Sequence, residues 1–383
     1  MKLLARLGIS WLLMLPLLEV QAEPLPDPLT LEYALSLALG SHPSVDNAAA
    51  DVALAEALLD QAKASDGLSI SVEGRLEHIE PAELSHFQKH NNSQLGLSMR
   101  KRLYDFGHTE AARQAASQAL SGRQWNYLQS RQQQYMKVLT SYLDVILADL
   151  EYTRDNEAMA TAFVRMDRAR DRHELGQLSE IELLRTESLY QKIRQQRSAS
   201  EARQRATRSR LAIALNRPGE LPANLEPPDK PVMELGDVDV SRITAAVLES
   251  NPGLKALRAE LAAAEQTLKH ASSRYGPVIH GELEAREYYR ETRSTHPFSV
   301  AVVLEVPLYT GGRSDAAVAE ASALVGKKQA ELAETELILR QALLDLWLEL
   351  QNLRTRMEEL DVLGDYREYY LDRSRTLYDL EVT

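Results

Sequence analysis

A decapeptide written twice restricts this chain more than any other feature. LYDFGHTEAA fills residues 103–112 and LYTGGRSDAA residues 308–317, a shift of 205 positions. Each copy reads as the end of a strand, a glycine turn and the start of an alanine-rich helix. The register persists well beyond the motif: DRARDRHEL from Asp167 answers DRSRTLYDL from Asp372 at the same shift. Upstream, His42-Pro43 answers Asn251-Pro252 and Gly67 answers Gly276, at a shift of 209. Four positions are therefore lost in the loop between Gly67 and Leu103. The chain is a tandem duplication of a unit about 200 residues long, a period too long for an ordinary solenoid.

Each copy runs helix, strand, strand, long helix. Residues 29–64 place Leu35, Ala38, Val45, Ala49, Val52 and Leu58 at helical spacing. The period then switches to two. Leu68, Ile70, Val72, Gly74 and Leu76 share one face, and Ser69, Ser71, Glu73, Arg75 and Glu77 the other. Leu95, Leu97, Met99 and Leu103 repeat the pattern on the return strand. In the second copy Ile279, Gly281, Leu283 and Ala285 alternate with His280, Glu282, Glu284 and Arg286, and Phe298, Val300, Val302, Leu304, Val306 and Leu308 complete the set. This predicts four two-faced strands in two hairpins.

Such strands fit either a soluble sheet on a core or a membrane barrel with lipid outside and water inside. The N-terminus favours the barrel. Lys2 and Arg6 precede an apolar run over residues 7–18, which ends in Val20-Gln21-Ala22, the pattern of a cleaved secretory signal over residues 1–22. The run is too short to span a bilayer as a helix. The 383-residue chain has no Cys, so an exported protein of this sequence is held together by burial or oligomerisation, and a lipid-modified Cys after the signal is excluded. A net charge of −12 argues against nucleic acid as a partner. Four strands cannot close a barrel, and open edges in lipid leave backbone groups unpaired, so several chains must contribute.

Residues 109–175 contain no Pro and one Gly, Gly122. At helical rise this is about 100 Å of helix. Leu128, Tyr135, Leu139, Tyr142, Ile146 and Leu150 form a coiled-coil-like stripe along it, and residues 314–380 repeat the design with Leu344, Trp347 and Leu348. Ala111, Ala112, Ala115 and Ala116 head one helix and Ala316, Ala317, Ala319 and Ala321 the other, so neighbouring helices can approach closely there. After a turn at Gly176, a second helix over residues 179–216 returns to the Pro-rich NRPGELPANLEPPDKP.

The twofold repeat, the LYDFG and LYTGG strand ends, SYLDVI at Ser141 and ELGQLSEIELL at the helical turn together resemble the TolC family of outer-membrane efflux proteins, from about residue 29 onward. The resemblance implies a mostly α-helical fold with a membrane β-barrel contribution. It also implies a homotrimer with twelve strands in outer-membrane lipid and a periplasmic helical tunnel. The function implied is a passive exit duct of a tripartite efflux or type I secretion system, served by a periplasmic adaptor and an inner-membrane pump of the ABC or RND type. Each decapeptide is then the joint where a strand passes into a tunnel helix, with Gly107, Gly311 and Gly312 at the bend. Helix ends at the periplasmic tip form the gate in this family. The matching positions here are Glu174, Leu175, Gly176 and Gln177 in the first copy and Tyr378, Asp379, Leu380 and Glu381 in the second. Arg168 and Arg170 answer Arg373 and Arg375 just above. Glu381 stands where the family's turn has glycine. A threefold ring of acids at such an entrance favours cations.

Nothing reads as a catalytic, cofactor or metal site, so no enzyme activity is expected. Asp105-Phe106-Gly107 spells a kinase triplet without the kinase's other signatures and reads as a turn. His173-Glu174 lacks the second histidine of a zinc helix, and His86 and His90 lack a third ligand. A non-conducting structural or adhesion protein, a coiled coil carrying outer-membrane hairpins, remains the alternative to the duct. The expected division is a first repeat over residues 23–222, a Pro-rich linker over 223–237 and a second repeat over 238–383. Thr383 corresponds to Leu178, so the second repeat is expected to lack its return helix and the chain to be C-terminally short.

Overall fold

The computed structural model describes residues 25–38, 40, 42–81, 88–228, 239–273, 276–290 and 295–381, with side chains as far as Tyr366. The first repeat forms α1 (Leu31–Ala38), α2 (Pro43–Ala64), β1 (Ser69–Arg75), β2 (Gln94–Tyr104), α3 (His108–Glu174) and α4 (Glu180–Ala214). The second forms α5 (Val240–Ser250), α6 (Pro252–Ser273), β3 (Val278–Tyr288), β4 (Phe298–Glu305) and α7 (Arg313–Glu381). The single helical stretch expected over residues 29–64 is two helices. Pro43 has no amide to continue a helix and forces the residue before it out of helical backbone: His42 is extended, at φ −137° and ψ 136°, and its Nδ1 accepts from the Ser44 amide. Asn251-Pro252 divides α5 from α6 at the equivalent place, with Asn251 Oδ1 accepting from Leu254 N.

Two compact units cut across the repeats. One comprises residues 1–41 and 135–230. Its core joins Leu29 and Ala34 to Val138, Tyr142 and Val145 of α3 and Leu211 of α4, all fully buried, at about 1.5–3 kcal/mol for each large side chain. Tyr142 Oη lies 2.7 Å from Leu29 O and 2.6 Å from Glu226 O, tying the segment before α1 and the segment after α4 to one helix. Those segments also bridge each other in parallel at Leu29 and Leu225. Along the α3–α4 hairpin, Arg208 pairs with Asp149, Arg203 with Glu151 and Arg170 with Glu187. These polar rungs fix the register that the apolar stripe leaves free to slide.

The second unit, residues 42–134 and 231–383, holds the sheet. Its strands lie in the order β1-β2-β3-β4, all antiparallel, so the two hairpins are joined through β2 and β3. Beside the sheet, α6 packs on α7, with Lys328 Nζ 2.7 Å from Glu260 and Arg258 3.0 Å from Glu336. The hydrogen bond it donates to Glu260 is the main reason the Lys328 ammonium is held above its usual range. Among the described residues, no helix is long and apolar enough to cross a membrane.

Candidate functional site

The duplicated decapeptide folds the same way twice. β2 ends at Tyr104 and α3 begins at His108, and the two residues before α3, Phe106 and Gly107, have φ of 54° and 88°. Before α7, Gly311 and Gly312 have φ of 64° and 78°. Two successive left-handed residues turn the chain from strand to helix, which glycine does without the strain a side chain brings. Phe106 accepts that strain in the first copy, where its ring stands edge-on to Tyr104 at 4.6 Å. The caps are equivalent too. Thr109 donates its amide to Asp105 Oδ2 at 2.8 Å, and Ser314 donates its amide to Thr310 Oγ1 at 3.4 Å. Burial pushes the Asp105 carboxyl up, but hydrogen bonds from the Thr109 hydroxyl and amide, the Arg102 guanidinium and the Gly107 amide outweigh it and hold the group below the usual carboxylate range. The kinase-like triplet is therefore a helix cap.

The sheet above these joints has two chemically opposite faces. Across the strands, Ile70, Met99, Leu283 and Val300 fall in one row and Val72, Leu97, Ala285 and Phe298 in the next. Ile70, Val72, Val300, Val302 and Leu304 on this face are all exposed. On the other face Ser71 bonds Ser98 at 2.7 Å, Arg100 meets Glu282 at 2.7 Å and Arg286 meets Glu284 at 3.1 Å. Gly96 makes room for this face: a Cβ there would stand 3.0 Å from Arg286 Cγ. β2 and β3 have 11 residues each, the length a tilted strand needs to cross a bilayer. Leu308 and Tyr309, just beyond the end of β4, are 93% and 89% exposed.

The other sequence-predicted residues lie at the far end of the long helices. Glu174 closes α3. Gly176, at φ 70°, ends it with Gly176 N bonded to His173 O and Gln177 N to Arg172 O, each at 2.8 Å. Ser179 then caps α4, its Oγ accepting from Glu182 N. Glu174, Gln177 and Arg168 are exposed. α7 stays helical through Glu381, so the backbone of Arg373, Tyr378, Asp379 and Glu381 is helical, whereas Gly176 occupies a turn; the side chains of those four lie outside the described residues. His86 lies outside them as well, and His90 stacks on His78 at 5.5 Å. Among the described residues no group of three or more His, Asp or Glu could hold a metal ion.

Two contacts escape a reading of the sequence. Arg100 and Glu282 are neighbours 182 positions apart, because β2 pairs with β3 across the repeat boundary. His108 and His270 stack at 3.9 Å, where the head of α3 meets the foot of α6. Their polar-face and helix-end positions were legible, but the pairings were not.

Residues 244–379 match the family described as outer membrane efflux protein. In fold, the chain is similar to a membrane protein from Pseudomonas aeruginosa (TM-score 0.73, 18% identity, 92% of this chain and 84% of that one). It is similar also to the outer membrane protein VceC from Vibrio cholerae (0.69, 16%, 86% and 80%) and to the CmeC outer membrane channel of Campylobacter jejuni (0.67, 14%, 82% and 69%). No curated protein sequence matches the chain.

Proposed function

From a second repeat that matches outer membrane efflux proteins and a fold shared with outer-membrane channels, we propose that this protein is an outer-membrane efflux channel, with its sheet in the membrane and a large helical portion in the periplasm. The observation that carries this reading is the sheet itself. One face is apolar and uncovered, the other is charged, and β1 and β4 are its two edges. A lipid environment tolerates that only if the edges are paired, because each unbonded amide or carbonyl in hydrocarbon costs several kcal/mol. Three copies, edge to edge, supply twelve strands and close the ring with the charged face inward.

The chain is then a passive duct. A periplasmic adaptor couples it to an inner-membrane pump, which supplies the energy, and the helix ends around Glu174, Gly176, Gln177 and Asp379 form the gate. The test is single-channel recording of the purified trimer in a planar bilayer. Discrete conductance steps are expected. A correctly assembled trimer that passes no current overturns the duct and leaves a structural or adhesive role.

A further inference from the structure

We propose that the cross-strand pair of Arg100 on β2 and Glu282 on β3 keeps the middle of the barrel lumen neutral, so that this level of the barrel discriminates against neither sign of solute. The inference rests on the channel reading above, because it takes the charged face of the sheet to be the lumen wall.

The two residues are direct register partners near the middle of the 11-residue strands. Both Nε and an outer nitrogen of the Arg100 guanidinium reach the same oxygen, Glu282 Oε1, at 2.8 and 2.7 Å. The Arg100 side chain is 65% exposed and that of Glu282 is 22% exposed, so the cation stands over the anion. His280 Nε2 approaches the same Glu282 oxygen at 3.3 Å from the next position on that face. The pattern extends along the face: Arg75 pairs with Glu73, Arg286 with Glu284, and Arg102 with Asp105 just below the sheet. Every arginine of the face thus sits against an acid, and the Arg100–Glu282 pair joins the two repeats.

A matched pair presents a dipole, whose field dies away quickly. An unmatched charge repeated three times at one height of a low-dielectric tube does not, and it concentrates ions of the opposite sign. Losing Arg100 strands three glutamates at one level, and losing Glu282 strands three arginines. Charge selectivity is therefore poised, and either half of the pair can tip it.

Reversal potentials across a salt gradient give the cation-to-anion permeability ratio of each variant. R100Q should raise that ratio about two- to threefold and E282Q should lower it by a similar factor, with both shifts shrinking at molar salt as screening grows. The double variant R100Q/E282Q, which strands no charge, should return to the wild-type ratio. Single variants that leave the ratio unchanged, or move it in one direction, overturn the proposal. So does a double variant shifted as far as either single one. Should a neutralised single chain fail to assemble, R100K and E282D keep both charges and must keep the wild-type ratio, and the double variant still decides. A wild-type trimer that carries no current overturns the channel reading instead, which separates the two failures.

Discussion

His108 and His270 stack with ring centroids 3.9 Å apart, and each ring aims Nδ1 at the other's main-chain carbonyl, at 3.2 and 2.9 Å. A carbonyl only accepts, so each contact is a hydrogen bond in the tautomer that carries hydrogen on Nδ1; Ser273 Oγ also lies 3.1 Å from His108 Nδ1. The pair closes the joint between β2 and α3 onto the end of α6, beside a cavity of about 350 Å³ lined in part by Leu58 and Gln61 of α2 and by Ser65, which caps that helix.

This contact makes stability depend on pH. Burial, the neighbouring His270 and the Arg102 guanidinium push the His108 imidazole down, against the His270 carbonyl bond and Asp105, which push it up. With the folded group below the ordinary value of 6.5, the unfolded chain takes up the proton first. The stability is fully present above about pH 6.5 and is lost as pH falls through that value toward the folded pKa. Melting of the detergent-solubilised protein should be steady above this window and fall below it. His108→Asn keeps a donor for the carbonyl and removes the titration, so its profile should be flatter. Parallel profiles for the two proteins would place the pH dependence elsewhere.

Two glycines, one just before α7 and one within it, separate backbone strain from helix propensity. At Gly312 an added Cβ meets nothing within 4 Å, but φ is +78°. Gly312→Ala should therefore destabilise by about 1–2 kcal/mol, through conformation alone. Gly326 lies inside α7 with equally open surroundings and no positive φ. Gly326→Ala should stabilise by about 0.5–1 kcal/mol. Thermal melts of the two variants should move in opposite directions; a shared direction would contradict the account of the joint.

The elements were largely legible in the sequence because each is governed by a short-range rule. The period-two alternation gave all four strands, and the absence of proline gave α3 and α7. The break at Pro43 is visible as a residue, but helical spacing runs through it and masks the boundary. What spacing cannot supply is partnership. Arg100 meets Glu282 and His108 meets His270 only because β2 lies against β3 and α3 against α6, contacts that span 182 and 162 residues. At the tip, the first turn was legible from Gly176 because positive φ leaves a compositional mark. The second copy has Glu381 at that position, and no such mark exists there.

Tyr142 should prove to be the pin of the other unit. Its hydroxyl is within hydrogen-bonding distance of both Leu29 O and Glu226 O, and it can donate to one of them at a time. Tyr142→Phe keeps the ring and removes the hydroxyl donor, while Leu29 O keeps its bond from the Glu226 amide, so the cost should be about 0.5–1.5 kcal/mol. Hydrogen exchange at the Leu29 and Glu226 amides, which bond Asn224 O and Leu29 O, should quicken. Exchange in the α3–α4 rungs, held by Arg208 and Asp149, should stay as it was. Uniform loosening of both regions would mean that Tyr142 supports the whole unit rather than pinning its terminal segment.

If the barrel is neutral by pairing, the sign preference of the channel must come from the other end of the helices. There Glu174 ends α3 in a fully bonded turn, held by Gly176 and by Ser179 at the head of α4. Asp379 and Glu381 occupy the corresponding stretch of α7. Three copies of each would ring a narrow entrance with acid, attracting cations and repelling one another across the opening. Replacing Asp379 and Glu381 together by Ala should lower the cation-to-anion permeability ratio, because the entrance no longer concentrates cations, and shorten the open dwell times, because the mutual repulsion that opposes closure is gone. Glu174→Gln, on a backbone that keeps its own turn, should lower the ratio with less effect on dwell times. Both variants should retain the opposite shifts of R100Q and E282Q, since Arg100 and Glu282 lie on the sheet and these residues at the ends of long helices. Unchanged selectivity and dwell times in the double Ala variant would remove these residues from the gate.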